Sequence, residues 1–444
     1  MNGRLDRRDF LRSSAVGAAY LATAPYARAF DLNGKLRVAA IGTGNRGRDD
    51  LLSVAASPRV EVVALCDVDQ SPAHLGGAAE QFPQAARFTD FRRLFDKPDL
   101  FDAVIVSTPD HMHAPIALPA MAMRKHVFCQ KPLTHTVDEA RRLREAAERH
   151  GVVTQMCNQI QSHSAYRAAV KLVHDGAIGK VREVHSWQSG NMEWLLADRR
   201  PPDSDPAPKH LDWDLWLGVA PQRPYKRALY HPKNWRAWQD FGSGQLGDFG
   251  CHILDPVFMA LELVAPATIE AEAPPLNEEV WAPRCRVSYQ FPGTSRTAGE
   301  VLPVTWYDGE GHKPERAGLG LPDTYELPHA GSVLVGESGT MVVPHWSQPQ
   351  LFPEAKFRDY SLPMLEDANH FTSWVDACLG DGQTTSHFGY AGPLTEAVLL
   401  GVIALRFPRE QLLWDSGAGR FTHHADATAR LSKEYRRGWE LAAG

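Results

Sequence analysis

The stretch Leu36-Arg37-Val38-Ala39-Ala40-Ile41-Gly42-Thr43-Gly44-Asn45-Arg46-Gly47 decides the fold: an apolar, strand-sized run breaks into a glycine-rich turn that opens a helix. Small residues are needed at such a turn for three physical reasons. The chain must bend tightly, the backbone must come close to a pyrophosphate, and the helix must pack on the strand with its N-terminus toward the phosphates. Glycine turns are common, so a sheet that binds no nucleotide stays an alternative on this string alone. Its setting adds Asp67, which ends the next apolar run about 25 residues on. A carboxylate there accepts hydrogen bonds from the adenosine ribose and repels a 2′-phosphate, so NAD is expected rather than NADP. Arg46 points the other way, since a nearby Arg can accommodate a 2′-phosphate. The candidate cofactor residues of this region are Gly42, Thr43, Gly44, Asn45, Arg46, Gly47 and Asp67.

Outward from this turn, strand-sized runs at 36–41, 60–66, 103–107, 126–128 and 152–156 alternate with amphipathic segments such as 137–148. That alternation predicts an α/β fold with a doubly wound parallel sheet of the Rossmann type. After Asn158 the pattern changes to one helix, 166–174, and then to β-rich runs at 181–187, 267–272, 285–291 and 299–306 between Pro and Gly clusters. A second α/β domain with a large, mainly antiparallel open sheet is expected. The expected divisions are 1–29, 30–157 and 158–444, with helical stretches 369–378 and 393–406 free to pack on either domain.

The first 29 residues read as a separate element. Arg7-Arg8-Asp9-Phe10-Leu11-Arg12, an apolar block at 15–24 and Ala27-Arg28-Ala29 form a charged start, a short apolar core and a small-x-small cleavage site. The arginine pair resembles a twin-arginine export signal, a route for proteins already folded, so a periplasmic or otherwise exported location is expected. No other run is long enough to span a bilayer, so no membrane insertion is expected once the signal is removed. Cleavage takes away five Arg and two Asp, leaving 42 basic against 51 acidic residues. That acidic balance speaks against a nucleic-acid partner, because such binding rests on Lys and Arg neutralising phosphates. Cys66, Cys129, Cys157, Cys251, Cys285 and Cys378 show no zinc-like spacing and read as buried free thiols.

The loop Ser107-Thr108-Pro109-Asp110-His111-Met112-His113 follows the next sheet strand, at the edge where ligands bind. His111 and His113 lack a third ligand nearby, so no metal is expected and the loop is read as lining the cleft.

Together, Gly42-x-Gly44-x-x-Gly47, Thr108-Pro109-x-x-x-His113, Cys129-Gln130-Lys131-Pro132 and Gly242-Ser243-Gly244-Gln245-Leu246-Gly247-Asp248-Phe249-Gly250-Cys251-His252-Ile253-Leu254-Asp255 resemble the glucose-fructose oxidoreductase/inositol dehydrogenase/rhizopine catabolism (Gfo/Idh/MocA) family. The likeness covers essentially the whole chain after residue 29. It implies a Rossmann domain followed by an α/β domain whose open sheet bears the substrate face and often makes subunit contacts, hence a homo-oligomer. It also implies dinucleotide contacts from Thr108, Pro109, His113, Gln130 and Lys131. A lysine in a Glu-Lys-Pro segment and an Asp-x-x-x-His pair at the active site fall on Lys131, Asp248 and His252. Gln130 departs from the pattern, which removes a carboxylate beside Lys131.

The chemistry of these residues follows from the reaction they would serve. Oxidising a secondary alcohol sends hydride to the nicotinamide, while the hydroxyl proton needs a base within hydrogen-bond reach. On a helix, Asp248 and His252 share one face, so His252 is expected as the base, with Asp248 orienting it or binding substrate. Lys131 would stabilise developing alkoxide charge. A core or capping histidine is the alternative for His252 taken alone.

Tyr230-His231-Pro232-Lys233-Asn234-Trp235-Arg236-Ala237-Trp238-Gln239-Asp240 interleaves aromatic faces with polar groups, which suits a sugar ring as well as it suits a core. Trp235, Arg236, Asn158 and Gln159 are the candidate substrate residues, followed by Tyr307 and His312. The expected partner is a small-molecule carbohydrate or polyol. Three functions are compatible: an NAD(P)-dependent oxidoreductase acting on a sugar, glycoside or cyclitol; an NAD-dependent glycoside hydrolase that oxidises transiently and eliminates the aglycone; and a non-catalytic sugar-binding protein.

Overall fold

Leu36–Ile41 (β1) is buried at every residue but Arg37, the pattern of a strand covered on both faces. The computed structural model describes residues 34–440, so the export signal read at 1–29 lies outside the described residues. Val60–Cys66 (β2), Ala86–Phe88 (β3), Ala103–Val106 (β4), His126–Gln130 (β5) and Thr154–Cys157 (β6) join β1 in one parallel sheet of order β3-β2-β1-β4-β5-β6. The order in which strands are added reverses between β1 and β4, and the crevice beyond their carboxyl ends is where such sheets bind ligands. The short edge strand β3 has no fully buried residue, which is why no apolar run announces it.

Helix Arg46–Ala55 (α1) opens directly from the glycine turn. His113–Ala122 (α2) follows the loop after β4. Val137–His150 (α3) starts with a capping box, in which Thr136 accepts from the backbone N–H of Glu139 and the Glu139 carboxylate accepts from that of Thr136; it ends on Gly151 at φ 61°.

Nine strands form the second sheet: Val181–Gln188 (β7), Thr268–Glu272 (β8), Cys285–Pro292 (β9), Val301–Asp308 (β10), Ala330–Gly336 (β11), Thr340–Pro344 (β12), Gln350–Phe352 (β13), Leu412–Asp415 (β14) and Arg420–Thr422 (β15). Their order is β13-β12-β11-β7-β10-β9-β8-β14-β15, and only β7 and β10 run parallel. In β9 buried residues alternate with half-exposed ones, as a sheet with unlike faces requires. Leu319 and Leu327, from the connection between β10 and β11, pack with Trp187, Tyr307, Val333 and Val342.

Gly244–Ile253 (α4) packs against β7 and β11. The late helices carry the joint with the first sheet. Trp374, Val375 and Cys378 of His370–Cys378 (α5) share one core with Leu36, Val38, Ala40, Ile105 and Phe128. Phe388–Ala404 (α6) is buried at nearly every residue and touches both α3 and α4. Its Glu396 pairs with Arg141 of α3 at 2.8 Å and accepts from Trp414 Nε1 at 3.1 Å. From Leu36 onward the chain is one compact unit. All six cysteines are buried and unbridged, and no helix among the described residues is long and apolar enough to cross a membrane.

Trp374 is fully buried beneath the parallel sheet. Trp374→Ala should therefore cost about 3–5 kcal/mol, read as a lowered urea midpoint. A change below about 1 kcal/mol would mean that α5 adds nothing to the core of that sheet.

Candidate active site

The crevice beyond β1 and β4 is a cleft enclosing about 540 Å³, lined at one end by Asp67, His74, Thr89 and Phe91 and at the other by Lys131, Asp248 and His252. Between them lie Gly42, Gly44, Asn45, Arg46 and Gly47 of the turn, together with Thr108 and Pro109. The glycines test the fit of a dinucleotide. A Cβ on Gly42, at φ 84°, would fall 2.5 Å from the Ser107 carbonyl oxygen, and one on Gly47 would fall 2.2 Å from that of Gly42. Both positions are compressed to bring the backbone of the turn against the sheet. Among the described residues no side chain caps α1; the Gly47 and Arg48 N–H groups donate back to the Gly44 and Asn45 carbonyls at 2.9 and 3.0 Å, and the helix N-terminus faces the cleft, where its dipole favours an anion. The residues present fit a pyridine dinucleotide, with its pyrophosphate over this turn.

Asp67 accepts from the Thr43 backbone at 2.7 Å and from that of Asp69 at 2.9 Å, which fixes its carboxylate at the ribose end. Thr43 itself is fully buried and acts through this bond. Arg46 turns the other way: its guanidinium lies 3.1 Å from Asp50 and 3.7 Å from the Cys157 thiol, at the end of β6.

At the opposite end, Lys131 Nζ donates to the Asp248 side chain at 2.6 Å and to its backbone carbonyl at 2.9 Å. Arg236 Nε donates to the same carboxylate oxygen at 3.0 Å, and its guanidinium lies 4.3 Å from the Trp235 ring centroid. Burial alone would raise the Asp248 carboxyl, but Lys131 and Arg236 outweigh it and hold it well below the usual range. His252, one turn further along α4, is buried and has no hydrogen-bond partner at Nδ1 among the described residues. Burial, reinforced by nearby Lys131, holds its imidazole well below the ordinary value, so the ring is neutral and able to take a proton.

Gln130 resolves the missing carboxylate. Its side-chain amide donates to Asp50 at 2.7 Å, while its carbonyl oxygen accepts from the Lys131 backbone at 3.3 Å. Asp50, on α1, is fully buried and also accepts from Ser107 at 2.8 Å. The carboxylate is supplied from a neighbouring helix, and a Glu at 130 would face it with like charge.

The sequence pattern described as "Oxidoreductase family, NAD-binding Rossmann fold" matches residues 36–157, and "Oxidoreductase family, C-terminal alpha/beta domain" matches residues 164–299, together more than half of the chain. The chain belongs to the Gfo/Idh/MocA oxidoreductase family. It is similar to a levoglucosan dehydrogenase of Pseudarthrobacter phenanthrenivorans, 27% identical over 230 residues, 50% of each chain. A glycosyl hydrolase family 109 protein of Saccharopolyspora erythraea is 31% identical over 204 residues, 39% of this chain and 44% of that one. The chain thus spans about half the length of the curated relatives it matches. In fold it is similar to the WlbA dehydrogenase of Bordetella pertussis, solved with NADH and UDP-GlcNAcA, at a TM-score of 0.59 and 16% identity over 86% of this chain and 99% of that one.

Within this family member, several residues sit elsewhere than the sequence suggested. His113 does not line the cleft. Its ring is buried, with Nδ1 2.9 Å from the Pro132 carbonyl oxygen and Nε2 2.8 Å from that of Thr108. Burial lowers it to about 4, so the neutral ring braces the two loops by donating to one carbonyl at a time. Asn158 is fully buried too: it donates to Asp255 at 3.0 Å and accepts from Ser386 at 2.6 Å, which removes it from substrate, whereas Gln159 lines the cleft. Tyr307 on β10 and His312 in the turn after it do not line the cleft: Tyr307 meets His185 and His312 the Asp308 carbonyl. Asp248 does not orient His252, because its charge is engaged by the two cations. Trp235 and Arg236 do line the cleft.

Glu193, Trp194 and Lys233 also line the cleft and were missed, whereas Asp110 lines it as part of the loop read that way. Trp194 Nε1 is buried without a partner among the described residues, a donor free for a ligand oxygen. Burial pushes Asp110 up to about 7, where Ser243 donates to it twice at 3.1 Å. Asp69, His74 and His231 bring three ligating atoms within 4.8 Å. Trp216 Nε1 donates to His231 Nδ1 at 3.1 Å, so the His231 proton sits on Nε2 and is donated to Asp69 at 2.8 Å. That tautomer makes the group a hydrogen-bonded network tying the long connection to the loop after β2, and leaves His231 no lone pair for a metal.

His252→Ala should leave the protein folded and able to bind dinucleotide while abolishing turnover; activity equal to wild type would remove His252 from the chemistry. Because its pKa is depressed, the base form persists as pH falls through 6.5, and the acid limb of kcat/KM should appear only below that value. A limb centred at 6.5 or above would assign the proton to another group.

Proposed function

We propose that this chain is an exported, NAD-dependent oxidoreductase that acts on a secondary hydroxyl of a sugar, glycoside or cyclitol. The observation that carries the reading is the convergence of Lys131, Asp248 and His252 at one end of the cleft whose middle is the glycine turn. When bound there, the nicotinamide supplies the two-electron acceptor. The chain's own residues do the rest. His252 takes the hydroxyl proton, and Lys131, whose ammonium has three protons with two directed at Asp248, turns the third to the oxygen that gains charge. Asp248 and Arg236 hold that ammonium in place. Trp235 and Trp194 offer apolar faces to a ring, with Gln159 and the Trp194 N–H as polar partners.

NAD is favoured over NADP by the Asp67 carboxylate at the ribose end, and by Arg46 being held on Asp50, away from any 2′-phosphate. Export rests on the signal-like residues 1–29, and it implies a tightly held dinucleotide loaded before translocation and reoxidised in place by a second carbonyl substrate or the back-reaction.

The second reading is an NAD-dependent glycoside hydrolase, favoured by the family 109 relatives. Incubation with methyl and nitrophenyl glycosides, following nicotinamide absorbance and aglycone release separately, divides the two. Redox change without cleavage is expected; cleavage without net redox change would replace this proposal with the hydrolase, and neither signal would leave a sugar-binding protein.

A further inference from the structure

The segment 431–440 crosses back to the ribose end of the cleft, held by anchors too strong for a casual surface contact. Tyr435 donates to Glu139 at 2.6 Å, and Lys433 Nζ lies 3.2 Å from the same carboxylate and 2.9 Å from His135 Nδ1. Glu139 is 2% exposed, and its other oxygen caps α3, so one buried carboxylate holds both the helix start and this segment. Arg436 then donates from Nε to the Gly218 carbonyl and from Nη2 to the Asp214 carbonyl, each at 2.9 Å, and its backbone N–H to Val219 at 3.0 Å.

These anchors deliver Trp439 into the cleft wall. Its ring lies 6.3 Å from that of Phe91, with the Arg92 guanidinium 4.2 Å and the Arg436 guanidinium 5.6 Å from its centroid. Phe91 follows β3 and Asp67 follows β2, so the two aromatics stand beyond the ribose-binding carboxylate, at the far end from His252. What extends past the ribose there is the adenine. Nothing in the motifs around Gly42 or Asp248 requires an aromatic wall at this place, and the tryptophan reaches it from the other end of the chain.

We propose that Trp439, with Phe91, forms the adenine subsite, and that segment 431–440 is a clasp that slows exchange of the dinucleotide. The inference rests on the nicotinamide-cofactor reading above. An adenine against a tryptophan face gains stacking and loses water, and such base–aromatic contacts change affinity about 5- to 100-fold when the ring is removed. A clasp of this kind suits an enzyme that must keep its dinucleotide where none is free in solution.

The test uses the full chain stripped of dinucleotide, as wild type, Trp439→Phe and Trp439→Ala, titrated calorimetrically with NAD, ADP-ribose and nicotinamide mononucleotide. Trp439→Ala should weaken NAD and ADP-ribose by a similar factor, about 5- to 100-fold, and speed NADH dissociation, while leaving nicotinamide mononucleotide unchanged. Trp439→Phe should restore most of the loss. Unchanged NAD affinity and dissociation in Trp439→Ala, with wild type binding normally, would overturn the clasp alone. Absence of dinucleotide binding by wild type would overturn the cofactor reading and the clasp with it. Because Trp439 is half-buried at the surface, its removal should not move the urea midpoint, and a parallel fall of all three ligands would mark a general distortion and count against the adenine assignment.

Discussion

The Asp248 carboxylate, gripped by Lys131 from the loop after β5 and by Arg236 from the long connection before α4, is the contact on which the site depends. A mostly buried anion with two cations is stable as a set, and removing the anion would leave two cations facing each other. The set therefore locks a loop of the parallel sheet to a helix packed on the other sheet. His252 profits from that lock without belonging to it. Burial, reinforced by Lys131 nearby, keeps the imidazole neutral, while the helix fixes its direction.

The interior handles its other charges in the same economical way. Asp50 draws Gln130, Ser107 and Arg46 onto one carboxylate, and Glu139 joins a helix cap to the segment 431–440. Each case lets one desolvated anion satisfy several donors from distant parts of the chain, which is how a buried carboxylate is tolerated. Burial still leaves its mark, raising Asp50 and pushing Asp110 up to about 7.

Much of this was legible in the residues. The β1–turn–α1 unit and Asp67 follow from local sterics, which glycine spacing encodes directly. Lys131, Asp248 and His252 were legible as a set through the resemblance, and a spacing of four does place the last two on one face of α4. Their partnership was not, because spacing cannot say which neighbour claims a carboxylate first. Asn158 and His113 were polar residues beside ligand loops, and only the folded chain shows that one turns into the core and the other bridges two carbonyls. Trp194 and Trp439 carry no motif at all, and Trp439 is set beside Phe91 and Arg92 by contacts across more than a hundred residues. The strands β11–β15 were also missed, as short runs diluted with glycine and polar residues give little periodicity.

The packing of α5 under the parallel sheet has a consequence for how the chain is made. Leu36, Val38, Ala40, Ile105 and Phe128 leave the ribosome long before Trp374 does, so the first sheet emerges with one oily side uncovered. Completing it requires the chain as far as α5, including every strand of the second sheet up to β13. A nascent chain halted short of His370 would be a sticky intermediate and a natural client for chaperones. The nucleotide-binding sheet is thus synthesised well before it is finished.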